Sequence, residues 1–319
     1  MRHAAHALLA ILATLQIPAC ASSNPTACGV GGEAPHPDIG GQIVFVCYAP
    51  GNHGSLYLLD VSTGEVRRLT PDSAWNLDPA WSPDGRRIAY QSTRDGRDNV
   101  YVMDVESRDV RRLTDGRGFS GYPSWSPDGR WIAFDSSRDG IAAPPNPPGY
   151  YRTIYVIRPD GTGLRRLLTF NDVSSGPAWS PRGDQIAFQS VRAGRFDLYV
   201  VGEDGSRLEQ LTHHEGTLGS ATWPRWSPDG ARIVFTETIP SPGRGEVFWM
   251  ALDAASPVQV TDDPRAQWDG WPDWSPDMRW IVFTRAGDSH QLFAIHPDGT
   301  GLVQLTNDAG DKDLPRWRP

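Results

Sequence analysis

A five-residue phrase, Trp-Ser-Pro-Asp-Gly, returns along most of this chain and constrains its fold more than any other feature. It reads WSPDG at 81–85, 125–129 and 226–230, WSPRG at 179–183 and WSPDM at 274–278, and a shortened WRP stands at 317–319. The six tryptophans that open these phrases are 43 to 54 residues apart. A repeat of this length is typical of propellers and solenoid arrays, in which each unit is one supersecondary element.

Each repeat carries the same succession of signals. The phrase itself predicts a turn, because proline presets φ at the second position and glycine tolerates positive φ at the fourth. An apolar strand such as 132–134 follows, then a polar loop, a second strand such as 154–156, an Asp-Gly turn and a short strand that ends in Leu-Thr. Alternating β-branched and aromatic residues between such turns indicate β-strands. Met278 replaces the glycine in one repeat, so we expect that turn to be strained or of another type.

Four strands in a unit of about 45 residues form one blade of a propeller. Six such units favour a closed ring, since radial repetition protects the edges of the sheets. Residues 42–70 supply three strands without a preceding Trp strand, and Leu314 to Trp317 supply the missing one. The sequence therefore predicts an all-β, six-bladed propeller of four-stranded antiparallel blades over residues 42–319, with one blade closed by both chain termini.

The first 21 residues have the pattern of an export signal. A short basic start precedes the apolar stretch 4–17, which is too short to span a bilayer. Cleavage after Ala21 would release a soluble protein, whereas cleavage before Cys20 would leave that cysteine as a lipid anchor, the only membrane contact that we expect. Residues 22–41 are interpreted as a linker. Both alternatives export the protein, to the periplasm or to the envelope membrane of a bacterium.

Cys28 and Cys47 are candidates for a disulfide, because disulfides persist in an oxidising compartment. The alternative is that Cys47 is a buried residue of the first strand and Cys28 is unpaired. The formal net charge is −8, and arginines alternate with aspartates without a basic stripe. This pattern argues against nucleic acid as a partner, since a nucleic-acid surface needs clustered cations. We expect a monomer.

The repeat, with its x-Pro-x-Trp-Ser-Pro-Asp-Gly, Ile-Ala-Phe, Arg-Asp-Gly, Leu-Tyr-Val and Leu-Thr elements, resembles the WD-like repeat of the TolB-like propeller family. Members of this family serve the periplasmic side of the Tol–Pal system, and the resemblance covers residue 42 to the end. It implies an exported six-bladed propeller. TolB carries an α/β domain before its propeller, where this sequence has about twenty linker residues. Related repeats also occur in prolyl-oligopeptidase-type peptidases and oligogalacturonate-lyase-like enzymes.

The sequence lacks the common catalytic signatures. Gly-x-Ser-x-Gly, a Gly-rich phosphate loop, His-Glu-x-x-His and Cys-x-x-Cys are all absent. The most metal-like cluster is 213–215, His-His-Glu, but adjacent histidines on a strand point to opposite faces, so we interpret it as a solvated loop and keep metal binding as the alternative. We predict no catalytic residue, no cofactor and no metal.

Chain direction separates two faces of the ring. The Trp-Ser-Pro-Asp-Gly and Asp-Gly turns lie on one side, here called the turn face. The remaining loops lie on the other, here called the insert face, where the repeats diverge and where 141–150 is inserted. Function in a propeller lies in such loops and at the channel mouth. Stiff proline-rich loops also lower the entropy cost of recognition. The predicted binding residues in the insertion are Pro144, Pro145, Asn146, Pro147 and Tyr150.

A second group of predicted binding residues precedes or opens the innermost strands and should ring the channel mouth on the insert face. These residues are Asn76, Asp78, Ser120, Tyr122, Trp223, Asp269, Trp271 and Asp313. The alternative is that they only plug the channel. The sequence predicts a non-catalytic scaffold that binds an envelope protein or peptide. The alternative is an envelope enzyme, or a module for a carbohydrate or small ligand, with its site at the channel mouth.

Overall fold

The computed structural model describes Cys28 and residues 35–48, 53–71, 73–139, 151–168, 173–214, 219–239, 244–253, 256–308 and 310–319. Cys20 and the predicted binding residues Pro144, Pro145, Asn146, Pro147 and Tyr150 lie outside this part of the chain.

The described residues form twenty-four β-strands in six four-stranded antiparallel sheets. Blade 1 contains β1 Gln42–Tyr48, β2 Gly54–Asp60, β3 Val66–Arg68 and β24 Asp311–Trp317. Blade 2 contains β4 Asn76–Trp81, β5 Arg87–Ser92, β6 Asn99–Asp104 and β7 Val110–Arg112. Blade 3 contains β8 Ser120–Trp125, β9 Ile132–Ser136, β10 Thr153–Ile157 and β11 Arg165–Arg166.

The other three blades follow in chain order. Blade 4 contains β12 Ser174–Trp179, β13 Gln185–Ser190, β14 Asp197–Gly202 and β15 Glu209–Gln210. Blade 5 contains β16 Ser220–Trp226, β17 Arg232–Ile239, β18 Arg244–Ala251 and β19 Val258–Gln259. Blade 6 contains β20 Trp268–Trp274, β21 Ile281–Ala286, β22 His290–Ile295 and β23 Val303–Gln304.

The two ends of the propeller sequence meet in blade 1. β24 pairs antiparallel with β1, with Trp317 opposite Ile43 and Asp311 opposite Tyr48. The innermost strands of successive blades contact one another around the whole ring, and β24 contacts β4 to complete it. The predicted fold is confirmed, including the blade that both termini close.

Hydrogen bonds within the repeated turns explain their sequence. In blade 2 the Gly85 amide donates to the Ser82 carbonyl at 2.8 Å, and the Ser82 hydroxyl donates to Asp84 at 2.5 Å. The repeated aspartates therefore organise turns. Met278 makes the same turn, with its amide 2.9 Å from the Ser275 carbonyl, and has φ of 59°. The predicted strain is present, since positive φ is uncommon for a residue other than glycine.

The hydrophobic core lies between the blades. The described residues contain six buried clusters, and each joins two neighbouring blades. Trp226, for example, packs with Ala187 of blade 4 and donates its indole N–H to the Ala178 carbonyl at 3.0 Å. Trp81 and Trp125 donate in the same way to the preceding blade. These three tryptophans therefore bind blades 2, 3 and 5 to the blade before them.

A disulfide joins Cys28 to Cys47 on β1, which ties the residues before the propeller to blade 1. Among the described residues, no helix is long and apolar enough to cross a membrane.

Candidate functional site

Each innermost strand is bulged one residue before its proline, and these bulges position the side chains of the central channel. The strand pairing shifts register there in all six blades. A bulge re-aims the side chain at its centre. The residues at the six bulges all have φ between 51° and 62°, and they are Asp78, Tyr122, Gly176, Trp223, Trp271 and Leu314.

Aromatic rings from the bulges meet across the channel. The ring centroids of Tyr122 in blade 3 and Trp223 in blade 5 are 5.0 Å apart, although blade 4 lies between those blades. Blade 4 has Gly176 at its bulge, so it leaves room for this contact: an added Cβ would lie 3.6 Å from the Trp223 ring. In blade 6, Trp271 contacts Trp268 at 4.5 Å. The side chains of Tyr122, Trp223 and Trp271 are half-buried. They narrow the channel, and part of each ring stays exposed.

Charged groups surround these rings. The Arg152 guanidinium lies 4.0 Å from the centroid of Phe119 and 6.0 Å from that of Tyr122. It also lies 3.8 Å from Asp135, which is fully buried. Burial raises the pKa of Asp135 to about 7, against the opposing effect of Arg152. Burial likewise raises the pKa of Asp78 to about 7, so the channel holds two carboxyl groups that titrate near neutral pH.

Asn76 and Ser120 lie at the insert-face ends of their strands and are held by hydrogen bonds, which for Asn76 include one at 3.4 Å to the Gly54 carbonyl of blade 1. Asn76 donates to the Ala74 carbonyl at 2.8 Å and accepts from the Ser92 hydroxyl at 2.9 Å. Ser120 pairs with the Ser136 hydroxyl at 3.0 Å. Both residues are about 1% exposed. Their side chains tie the first strand of a blade to the second and present no surface at the mouth.

Asp269 and Asp313 are also fully buried. Arg285 donates two hydrogen bonds to Asp269, at 2.8 and 2.7 Å, in a bidentate pair. Asp313 bonds to His290 Nδ1 at 2.9 Å, and burial raises the pKa of its carboxyl. The structure thus leaves Tyr122, Trp223 and Trp271 partly exposed in the channel, buries Asp78 close to Tyr122, and places the other four predicted residues inside the blades.

His214, from the metal-like sequence cluster, joins blades 4 and 5 on the insert face. Its Nδ1 lies 2.6 Å from Asp197, and its Nε2 lies 2.5 Å from Glu237. These two hydrogen bonds raise the pKa of His214 to about 9, so the imidazole is cationic at neutral pH. The described residues include no group of three His, Cys, Asp or Glu side chains arranged to hold a metal ion.

The chain is similar in sequence to a known protein family. The family model described as TolB beta propeller domain matches residues 36–143 and 149–319. The chain belongs to the TolB β-propeller family. An uncharacterized protein of Agrobacterium fabrum is 34% identical over 115 residues, which are 36% of this chain and 37% of that protein. The Tol-Pal system protein TolB of Anaeromyxobacter dehalogenans is 33% identical over 106 residues, 33% of this chain and 23% of that protein.

A solved structure of TolB from Acinetobacter baumannii has the same fold. It matches with a TM-score of 0.75 and 23% identity, over 88% of this chain and 67% of that one. The segments that match the two curated relatives above cover less than two fifths of the length of each relative.

Sequence reasoning missed Asp135 and Arg152 in this TolB-family channel. Asp135 pairs with Gly121 at the position after the apolar strand Ile-Ala-Phe. The corresponding residues of blades 2, 4, 5 and 6 are all polar, and they are Gln91, Gln189, Thr236 and Thr284. A polar residue repeated at the end of an otherwise apolar strand was the signal that pointed to the channel. Arg152 gave no such signal, since it follows the inserted segment.

Proposed function

We propose that this propeller is a non-catalytic scaffold of the bacterial cell envelope that binds a protein or peptide at the insert-face mouth of its channel. Membership of the TolB β-propeller family supports an envelope protein-binding role, because relatives of this chain are named Tol-Pal system proteins. Residues 1–21 would direct export, and the mature protein would be periplasmic or held to the membrane through lipid on Cys20.

The observation that carries this proposal is the set of half-buried aromatic side chains in the channel, Tyr122, Trp223 and Trp271. Tyrosine, tryptophan and arginine dominate the binding energy of protein interfaces, and the Arg152 guanidinium lies 6.0 Å from the centroid of the Tyr122 ring. Contacts between the Tyr122 and Trp223 rings and between the Trp268 and Trp271 rings restrict their rotamers, so less side-chain entropy is lost on binding. A partner segment would therefore find rigid aromatic anchors.

Site-specific photo-crosslinking tests this proposal. A benzophenone amino acid replaces Tyr122 in one variant and Trp131, a half-buried aromatic residue beyond the turn phrase of blade 3, in a matched control. Each variant is irradiated with a solubilised envelope fraction. We expect one discrete crosslinked protein from position 122, lost when Trp223 is also replaced by alanine, and no such product from position 131. Equal products from both positions, or none from position 122, would contradict the proposal.

The two carboxyl groups with raised pKa favour a second candidate function, an envelope enzyme with its site in the channel. Groups that titrate near neutral pH suit general acid–base chemistry. Asp78 and Asp135 would carry it, each with a pKa of about 7. Turnover of an envelope glycan or peptide that disappears in both Asp78→Asn and Asp135→Asn would support this candidate over the scaffold. Turnover that survives both substitutions would exclude these carboxyls.

A further inference from the structure

The turn-face end of the channel opens into a separate basin of about 400 Å³. Its wall is a ring formed by the first residue of every repeated phrase, namely Trp81, Trp125, Trp179, Trp226, Trp274 and Trp317. A proline from each phrase adds to the rim. Ligand pockets in proteins have this size and this mainly apolar lining, with a few polar groups that fix orientation.

Three charged side chains also line this basin, and they are Arg225, Asp273 and Arg316. Each stands between the proline and the tryptophan of its innermost strand. Blades 2, 3 and 4 carry Ala80, Ser124 and Ala178 at the same place. Small side chains therefore satisfy the fold at this position. The charges of blades 5, 6 and 1 need another explanation.

The two arginines interact electrostatically with Asp273 and Asp78, but these carboxyls do not use all of their hydrogen-bond donors. Arg316 is 5% exposed, its Nη1 donates to the Pro315 carbonyl at 2.6 Å, and its Nε has no hydrogen-bond partner. Arg225 donates to the Pro224 carbonyl at 2.9 Å. Burial and the proximity of Arg316 lower the pKa of Arg225 to about 9. Among the described residues that line the basin the carboxylate is Asp273, which accepts from the Trp317 amide at 2.8 Å and interacts with both arginines.

An anion in the basin would relieve both problems. It would accept from the unpartnered Arg316 Nε, and it would offset the repulsion between two buried guanidinium groups, whose unsatisfied burial costs free energy. Arginine suits carboxylates in particular, because its planar fork matches their geometry. The tryptophan ring would hold an apolar body next to that carboxylate. We propose that the basin binds a monoanionic carboxylate on an apolar body, either a free organic acid or the C-terminal residue of a peptide chain.

Titration followed by intrinsic tryptophan fluorescence tests this site in the full chain. The probes are phenylacetate, its neutral analogue phenylacetamide, the peptide Gly-Gly-Phe and the same peptide with an amidated C-terminus. We expect a saturable change with the two carboxylates at up to millimolar concentration, and roughly tenfold or weaker binding of the two amides. Tighter binding of Gly-Gly-Phe than of phenylacetate would identify a chain terminus as the source, and the reverse would identify a free acid.

The variants Arg225→Ala and Arg316→Ala should each weaken carboxylate binding about tenfold or more, as loss of a charged hydrogen bond does. Arg111→Ala, which removes an exposed arginine from an outer strand, should leave it unchanged. Arg225→Ala copies the residue of blades 2 and 4, so it should fold even where Arg316→Ala does not, and circular dichroism checks this. Equal binding of acid and amide, unchanged affinity in Arg225→Ala, or no saturable response to either carboxylate would overturn the proposal.

Discussion

The two faces of this propeller differ in how far the repeats agree. On the turn face the same hydrogen bond returns from blade to blade, as between Ser126 and Asp128 at 2.6 Å and between Ser227 and Asp229 at 2.5 Å. On the insert face the polar pairs vary more: blade 6 uses Asp269 with Arg285 and blade 2 uses Asn76 with Ser92, whereas blades 3 and 4 share a pair of serines. The same blade backbone thus has repeated side chains on the turn face, where they stabilise the ring. It has more varied side chains on the insert face, where a partner would be recognised.

The largest expected effect tests the closure on which both faces depend. A chain that ends at residue 310 loses β24 and leaves β1 with an unpaired edge. Since each blade packs only on its neighbours, opening the ring also exposes the apolar surfaces of blades 2 and 6 that face blade 1. We expect the cooperative thermal transition to disappear. Removal of the exposed Pro319 alone is the control and should leave the transition in place. A truncated chain with an unchanged thermal transition would show that pairing of β24 with β1 is not needed for the stability of the ring.

Two tryptophans three residues apart in β16 sharpen the comparison. Trp226 is buried between blades 4 and 5, so Trp226→Ala should cost about 3–5 kcal/mol in the free energy of unfolding. Trp223 is a half-buried channel residue, so Trp223→Ala should cost clearly less and instead weaken partner binding roughly tenfold or more. Urea denaturation and partner titration give both quantities for both variants. A larger stability loss in Trp223→Ala would assign that residue to the structure of the ring.

The contrast between the faces also explains which parts of the molecule could be predicted. A pattern that is ambiguous in one repeat becomes clear when five repeats share it. The number of blades and the pairing of the two ends of the propeller could therefore be predicted from the sequence. The predicted strand at Leu314 to Trp317 was only the second half of β24, because Asp311 to Asp313 are polar yet fully paired with β1. Strand ends that carry charge do not have an apolar pattern.

The channel was predicted less well because its contacts depend on pairing across strands. Asp269 carries no mark in the sequence to show that Arg285 lies directly opposite it. Likewise, the partner of Asp313 is His290, which lies on β22, the third strand of the neighbouring blade 6. Tyr122 and Trp223 were predicted from their place at the start of the innermost strands, which is a local signal. Positions with a local signal could be placed, and those with only a tertiary partner could not.

A change in pH should alter the stability contributed by the channel and by the turn face in opposite directions. The pKa of Asp135 is raised to about 7, so the native state holds a proton that the unfolded state releases. Stability from this group is present at low pH and is lost as pH rises from about 4 to about 7. Asp135→Asn should therefore be more stable than the parent chain at pH 8, by on the order of 2 kcal/mol, and similar at pH 4.

The turn face should respond in the opposite direction. The pKa of Asp204 is lowered by its hydrogen bond from the Ser206 hydroxyl, so its contribution is present at neutral pH and is lost as pH falls below its ordinary range. Asp204→Asn should be less stable than the parent at pH 7, with the difference shrinking in acid. Denaturation series at several pH values measure both variants. The same sign for both would remove the electrostatic distinction between the faces.

The smallest expected effects lie within the repeated turn itself. Gly129 has φ of 68°, and the nearest atom to an added Cβ is Pro83 Cδ at 4.0 Å, so Gly129→Ala meets no steric obstacle. The substitution should lower the free energy of unfolding by about 1 kcal/mol, which is the cost of placing alanine in a left-handed backbone conformation. Met278→Gly should gain less than this, because relief of φ at 59° is offset by the loss of Met278 packing on the core between blades 5 and 6. Urea denaturation resolves both. A neutral Gly129→Ala would mean that the turn tolerates side chains, and the agreement among repeats would then need a cause other than backbone strain.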